Sequence, residues 1–124
     1  MLKAKIHRAR LTSVDIDYEG SIEIDSDILD RAGINSYEKV AVWNVTNGNR
    51  LETYAIAGPR GGCGFLLNGA AAHLASAGDV VIITAFCNMP AAEAKAHVPR
   101  VLLMDENNHF TEKSDLVEVF VNAQ

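Results

Sequence analysis

No G-x-S-x-G, G-x-G-x-x-G or G-x-x-x-x-G-K-[ST] pattern occurs in the sequence. A serine-hydrolase elbow and a nucleotide-phosphate loop are therefore unsupported. Basic residues are in the minority, 11 against 16 acidic ones, for a formal net charge of −5. That balance argues against a surface built to hold nucleic acid, though local cations can still take a small anion. Cysteine is scarce. Cys63 and Cys87 lack C-x-x-C spacing and a secretory context, and read as free thiols in a reducing cytoplasm. The four histidines, His7, His73, His97 and His109, show no metal-ligand spacing, so no metal is assigned. The longest apolar run, residues 80–87, is too short to cross a membrane as a helix and suits a buried strand. Met1 to Lys5 lead directly into charged, alternating sequence, so no signal peptide is expected.

What is present is period-two alternation in a chain of 124 residues, a length suited to one domain. Leu2, Ala4 and Ile6 alternate with Lys3, Lys5 and His7. Val14, Ile16 and Tyr18 alternate with Asp15 and Asp17, and residues 22–25 resume the pattern. Further strands are expected at 38–45, 50–57, 65–67, 80–87, 101–104 and 117–121. Asn47-Gly48 signals a tight hairpin in which both central residues take positive φ. Short helices are expected at 26–33, capped by Ser26 and closed by Gly33, at 70–75, and at 90–96. Residues 58–64, rich in glycine and without the phosphate-loop lysine, read as a flexible loop. Many short strands with few, brief helices favour a closed barrel or a sandwich.

Three stretches carry candidate chemistry. Gly20-Ser21 lies between two strand-like segments, at a bend. Arg50, Thr53 and Tyr54 share one strand, where they are either ordinary β-formers or a forked cation, a hydroxyl and a phenolic proton. Thr53 and Tyr54 are adjacent, so on a regular strand they face opposite ways. The run from Asn68 through Gly69, Ala70, Ala71 and Ala72 is either a plain turn into a helix or a set of backbone N–H groups open to a ligand carboxylate.

In combination these segments resemble the bacterial aspartate 1-decarboxylases, a pyruvoyl-dependent family. The resemblance runs through Lys5-Ile6-His7-Arg8, Tyr18-Glu19-Gly20-Ser21, Trp43-Asn44-Val45-Thr46-Asn47-Gly48, Arg50, Thr53-Tyr54-Ala55-Ile56, Asn68-Gly69-Ala70-Ala71-Ala72-His73 and Gly78-Asp79-Val80-Val81-Ile82-Ile83, in family order. After Met89-Pro90 it is loose. It implies a mainly β fold, the double-psi β-barrel with short helices, in a homotetramer with active sites between subunits. It implies a proenzyme that cuts itself into residues 1–20 and 21–124, Ser21 becoming an N-terminal pyruvoyl group. Thr53 and Asn68 are then expected beside the Gly20-Ser21 junction. Lys5, from the adjacent subunit, Arg50, Thr53 and the backbone at Gly69, Ala70 and Ala71 are expected to hold L-aspartate, and Tyr54 to donate a proton. The implied product is β-alanine for pantothenate.

The chemistry suits these residues. Losing CO2 from an α-amino acid leaves a carbanion that no ordinary side chain delocalises. A ketone can form an imine with the substrate amine and serve as the electron sink, the task for which many enzymes bind pyridoxal phosphate. This chain has no recognisable cradle for that phosphate, and the resemblance implies a pyruvoyl made from its own backbone in that role. Gly20, lacking a Cβ, is expected to allow a sharp bend with an approachable carbonyl. Two other readings stay open: a non-enzymatic barrel serving as a binding module, and a pyruvoyl decarboxylase for another amino acid. Whether cleavage is spontaneous or needs a maturation factor is not legible.

Overall fold

A computed structural model describes residues 1–113. The strand expected at 117–121 lies outside the described residues. The chain is mainly β. In order it forms β1 (Leu2–Arg10), β2 (Ser13–Asp15), β3 (Ser21–Asp25), α1 (Ser26–Ala32), β4 (Lys39–Asn44), β5 (Arg50–Gly58), β6 (Phe65–Asn68), a 3₁₀ helix (Gly69–Leu74), β7 (Val80–Phe86), α2 (Ala91–Ala94), β8 (Arg100–Met104) and β9 (Phe110–Glu112). The strands make one sheet in the order β2-β6-β3-β5-β4-β7-β1-β8-β9.

That order forces the sheet to curl. β1 and β2 are joined by only Leu11 and Thr12, yet stand six places apart. A flat sheet would separate them by about 29 Å at ~4.8 Å per strand, far beyond the reach of two residues. Leu11 and Thr12 bridge the resulting closure. Leu11 N–H donates to Asp79 O at 2.9 Å and Thr12 N–H to Phe65 O at 2.8 Å. The inward faces of β1, β3, β4, β6 and β7 meet in a single core, with Ile6, Ile22, Val42, Leu67 and Ile83 fully buried and Ile28 and Leu29 of α1 covering one end. Period two decides burial even in the most apolar run: Val81, Ile83 and Ala85 are buried, whereas Phe86 is 54% exposed. On the other face of β7 Val80 and Ile82 are half-buried and Thr84 alone is fully buried.

Local chemistry departs from expectation at several ends. Asp25, not Ser26, caps α1, accepting the Asp27 N–H at 2.8 Å. Ser26 instead donates to Gly58 O at 2.7 Å. Gly33 closes the helix at φ +72°. The β4–β5 connection spans residues 45–49, and only Gly48 takes positive φ. Asn44 supersedes the tight turn: its Oδ1 accepts the N–H groups of Thr46 and Asn47, and its carbonyl that of Gly48. β2 stops at Asp15. Ile16 and Tyr18 continue the alternation but are 52% and 58% exposed, so the pattern there does not report a strand. α2 is a single exposed turn beginning after Pro90, with no apolar face to extend it.

Candidate active site

Ser21 is the first residue of β3 and is buried. The chain bends at Gly20 just before it. β3 pairs antiparallel with β6, which sets Ser21 opposite Asn68. Asn68 is also buried, and its Nδ2 donates to Ser21 Oγ at 3.4 Å. Ser21 Oγ in turn donates to Glu19 O at 3.5 Å. Both contacts are long, so the hydroxyl is held loosely. Asn68 does not cap the 3₁₀ helix that follows it, which leaves its amide to the serine.

Gly69 sits against the same junction. Its φ is +74°, and a Cβ built on it would lie 2.6 Å from Gly20 Cα and 2.8 Å from Gly20 N. The glycine requirement therefore falls on position 69. At Gly20 itself a Cβ would meet nothing within 4 Å among the described residues, and φ is outside the left-handed region. The bend is present where the sequence indicated, but the missing Cβ that matters belongs to the neighbour across the sheet.

On the other flank β3 pairs in parallel with β5, Ile22 beside Ala55. Carried back one residue, to the start of β3, that register sets Tyr54 beside Ser21. Neighbours in a parallel ladder share a face, so Tyr54 lies on the Ser21 side and Thr53, one residue back, on the opposite face of β5. Thr53 is half-buried and Tyr54 is 36% exposed. Ala70 is exposed and Ala71 half-buried on the 3₁₀ helix, which replaces the α-helix expected from the alanine run.

The cations are not gathered at Ser21 within one chain. Arg50 lies four residues from Tyr54 on β5, about 13 Å away at ~3.3 Å per residue. Its guanidinium rests over the Trp43 ring at 4.8 Å. Lys5 lies on β1, which pairs with β7 and β8 and with neither β3 nor β5. Two residues beyond Lys5, His7 Nδ1 is buried with no hydrogen-bond partner among the described residues. Burial, then the charges of Lys5, Arg8 and Lys113, lower the imidazole pKa and favour its neutral form.

Sequence reasoning missed Asp25. Its buried carboxylate accepts three backbone N–H groups, from Asp27 (2.8 Å), Gly61 (3.0 Å) and Cys63 (2.8 Å). The glycine-rich loop is thereby anchored rather than loose. Arg60 of that loop also pairs with Asp27 and Asp30. Burial alone would push the Asp25 carboxyl up, but the N–H groups of Cys63, Gly61 and Asp27, with the Arg60 charge, outweigh it and hold it below the ordinary aspartate range. The only local signal was an acidic residue ahead of a helix.

Asp25→Asn keeps the shape but offers one acceptor oxygen to three donors. It is expected to cost about 2–3 kcal/mol of stability near neutral pH, read from urea unfolding. In the wild type the folded carboxyl titrates below its unfolded value of ~3.9. Its contribution is thus complete above about pH 4 and is lost as pH falls through the folded value. The variant should lack that acid limb; identical limbs in both proteins would remove Asp25 from this role.

Comparison with known proteins identifies the family. A family model described as aspartate decarboxylase matches residues 1–111. A protein of Hyphomonas neptunium named aspartate 1-decarboxylase is 51% identical, over 92% of this chain and 97% of its own length. A protein of the same name from Caulobacter vibrioides is 55% identical over 87% and 92%. One from Salinibacter ruber is 53% identical over 94% and 80%. The family's fold is a double-psi β-barrel. The curled sheet accords with it, although no ladder joins β2 to β9 among the described residues. The chain belongs to the aspartate decarboxylase family.

Proposed function

We propose that this decarboxylase converts L-aspartate to β-alanine and CO2, a step that supplies pantothenate synthesis, after cutting itself between Gly20 and Ser21. The carrying observation is the junction: a buried serine, loosely held, with an amide donor on its oxygen and the Gly69 backbone against the preceding residue. Ser21 Oγ attacks the Gly20 carbonyl carbon and the peptide C–N bond breaks, its nitrogen taking the hydroxyl proton. Loss of the Ser21 Cα proton then expels the Gly20 carboxylate and leaves a dehydroalanine. Tautomerisation and addition of water release ammonia. The products are residues 1–20 and residues 21–124, the latter beginning with a pyruvoyl group. Asn68 and Thr53 flank this chemistry, Asn68 as a hydrogen-bond donor and Thr53 on the face of β5 opposite Tyr54.

The pyruvoyl ketone supplies the electron sink that decarboxylation needs, with no pyridoxal phosphate or metal in the scheme. Around it the chain's own groups bind and protonate. Arg50 and Lys5 take the substrate carboxylates, Thr53 and the backbone at Gly69, Ala70 and Ala71 complete the pocket, and Tyr54 delivers the proton to the carbon that loses CO2. Arg50 stands four residues along β5 from Tyr54, and Lys5 lies on β1, which pairs with neither β3 nor β5; this supports an assembly in which a neighbour completes the site. We assign a homotetramer with Lys5 contributed across the interface. The two free thiols support a reducing, cytoplasmic setting. A maturation factor is the alternative to spontaneous cleavage.

Processed protein is expected to release CO2 and β-alanine from L-aspartate and to leave L-glutamate untouched; preferred turnover of glutamate would overturn the substrate assignment. Tyr54→Phe should still cleave, yet lose about 10²-fold or more in kcat. An unchanged kcat would remove Tyr54 as the proton donor.

A further inference from the structure

Tyr37 is an anomaly. It is 80% exposed and has φ +71°. It occupies the third position of the turn Asn35–Glu38, in which Glu38 N–H donates to Asn35 O at 3.1 Å. A turn with positive φ at that position ordinarily takes glycine or asparagine. A tyrosine there is strained and leaves a large ring in water. Residues held this way persist where the surroundings over-determine them, and they concentrate at functional sites.

The surroundings here are specific. Tyr37 N–H donates to Ala55 O at 2.7 Å, and Ala55 N–H to Glu38 O at 3.0 Å. The turn is thus clamped to β5 at the residue after Tyr54. The Glu38 carboxylate tightens it further, accepting the Asn35 N–H at 3.1 Å and Lys3 Nζ at 2.7 and 2.9 Å. The clamp brings the Tyr37 ring to 6.3 Å from the Tyr54 ring, centroid to centroid, tilted by 33°. That lies within the range of favourable aromatic pairs. Tyr54 stands on an otherwise open face of β5, where a phenol has several rotamers to choose from.

We infer that Tyr37 is a positioning residue for Tyr54: the strained turn holds one ring against the other and restricts the phenol to the orientation from which it delivers its proton. The inference rests on the reading of Tyr54 as proton donor. Tyr37 touches no reacting atom and acts through its ring face alone.

The test uses the processed enzyme, with cleavage quantified by mass so that kcat is expressed per cut chain. Tyr37→Asn suits the left-handed backbone and is expected to leave the thermal midpoint no lower. It should lower kcat about three- to tenfold, with the KM for aspartate changed less than twofold. Tyr37→Phe keeps the ring and should restore wild-type kcat. In a Tyr54→Phe background Tyr37→Asn should cost nothing further. Wild-type kcat in Tyr37→Asn, beside a slow Tyr54→Phe, would overturn the inference and spare the proton donor. An equal loss in both backgrounds would also overturn it. A Tyr54→Phe enzyme with wild-type kcat would overturn both readings together.

Discussion

Ser21→Ala is expected to give a folded, full-length chain with no detectable aspartate decarboxylation. The two halves of that result come from different physics. Folding survives because Ser21 Oγ makes only long contacts, 3.4 Å from Asn68 Nδ2 and 3.5 Å from Glu19 O. Exchanging such a hydroxyl for a methyl hydrogen costs about 1 kcal/mol or less. Activity disappears because alanine has neither a nucleophile to attack the Gly20 carbonyl nor a leaving oxygen for the elimination. The ketone is then never made, and the rate returns toward the uncatalysed one, a loss of at least about 10⁶-fold. A gel and a CO2-release assay on one preparation suffice. Cleaved, active Ser21→Ala protein would refute the self-processing scheme.

Gly69→Ala carries the second large effect, and it lies on the partner strand rather than at the cut. The added Cβ would sit 2.6 Å from Gly20 Cα, 2.8 Å from Gly20 N and 3.1 Å from Tyr18 O, all of them backbone atoms. No flexible side chain is available to give way. The φ of +74° adds strain for any residue with a Cβ. Overpacking of this kind costs about 1–3 kcal/mol, and relief requires the junction itself to move. A displacement of about 1 Å at a reacting centre lowers a rate by about 10²-fold. Cleavage of Gly69→Ala should therefore be slowed to that degree, in a chain that still folds, followed by mass over time at fixed temperature. Gly20→Ala is the control. Its Cβ meets nothing within 4 Å among the described residues, so it should fold like the wild type. Wild-type cleavage in Gly69→Ala would show that the approach of Gly69 to Gly20 does not matter.

Much of this was legible because strands of a curled sheet bury alternate residues. Ala4 with Ile6, Ile22 with Ile24, and Val40 with Val42 all appear as period-two apolar pairs, and all are buried. The same rule misleads at Ile16 and Tyr18, since alternation reports a strand only where a core covers one face. Asn47-Gly48 located a reversal but not its form, because the Asn44 side chain takes the N–H groups that a two-residue turn would leave to the opposite strand. Ser21, Thr53, Tyr54 and Asn68 were readable as local motifs, and the ladders β3–β5 and β3–β6 bring their strands together. What local sequence could not convey is contact across the sheet. Nothing around Gly69 announces that its backbone faces Gly20. Nothing around Asp25 announces that Gly61 and Cys63 return to it, and nothing around Tyr37 announces Tyr54. Arg50 and Lys5 were readable as cations, but their separation from Ser21 follows only from strand order.

The most direct test of self-cleavage is the intact mass of the purified protein under denaturing conditions. Two species are expected: residues 1–20, and residues 21–124 lacking a free α-amine and carrying a pyruvoyl mass at position 21. A single full-length species, still uncut after warm incubation and after incubation with cell extract, would contradict it.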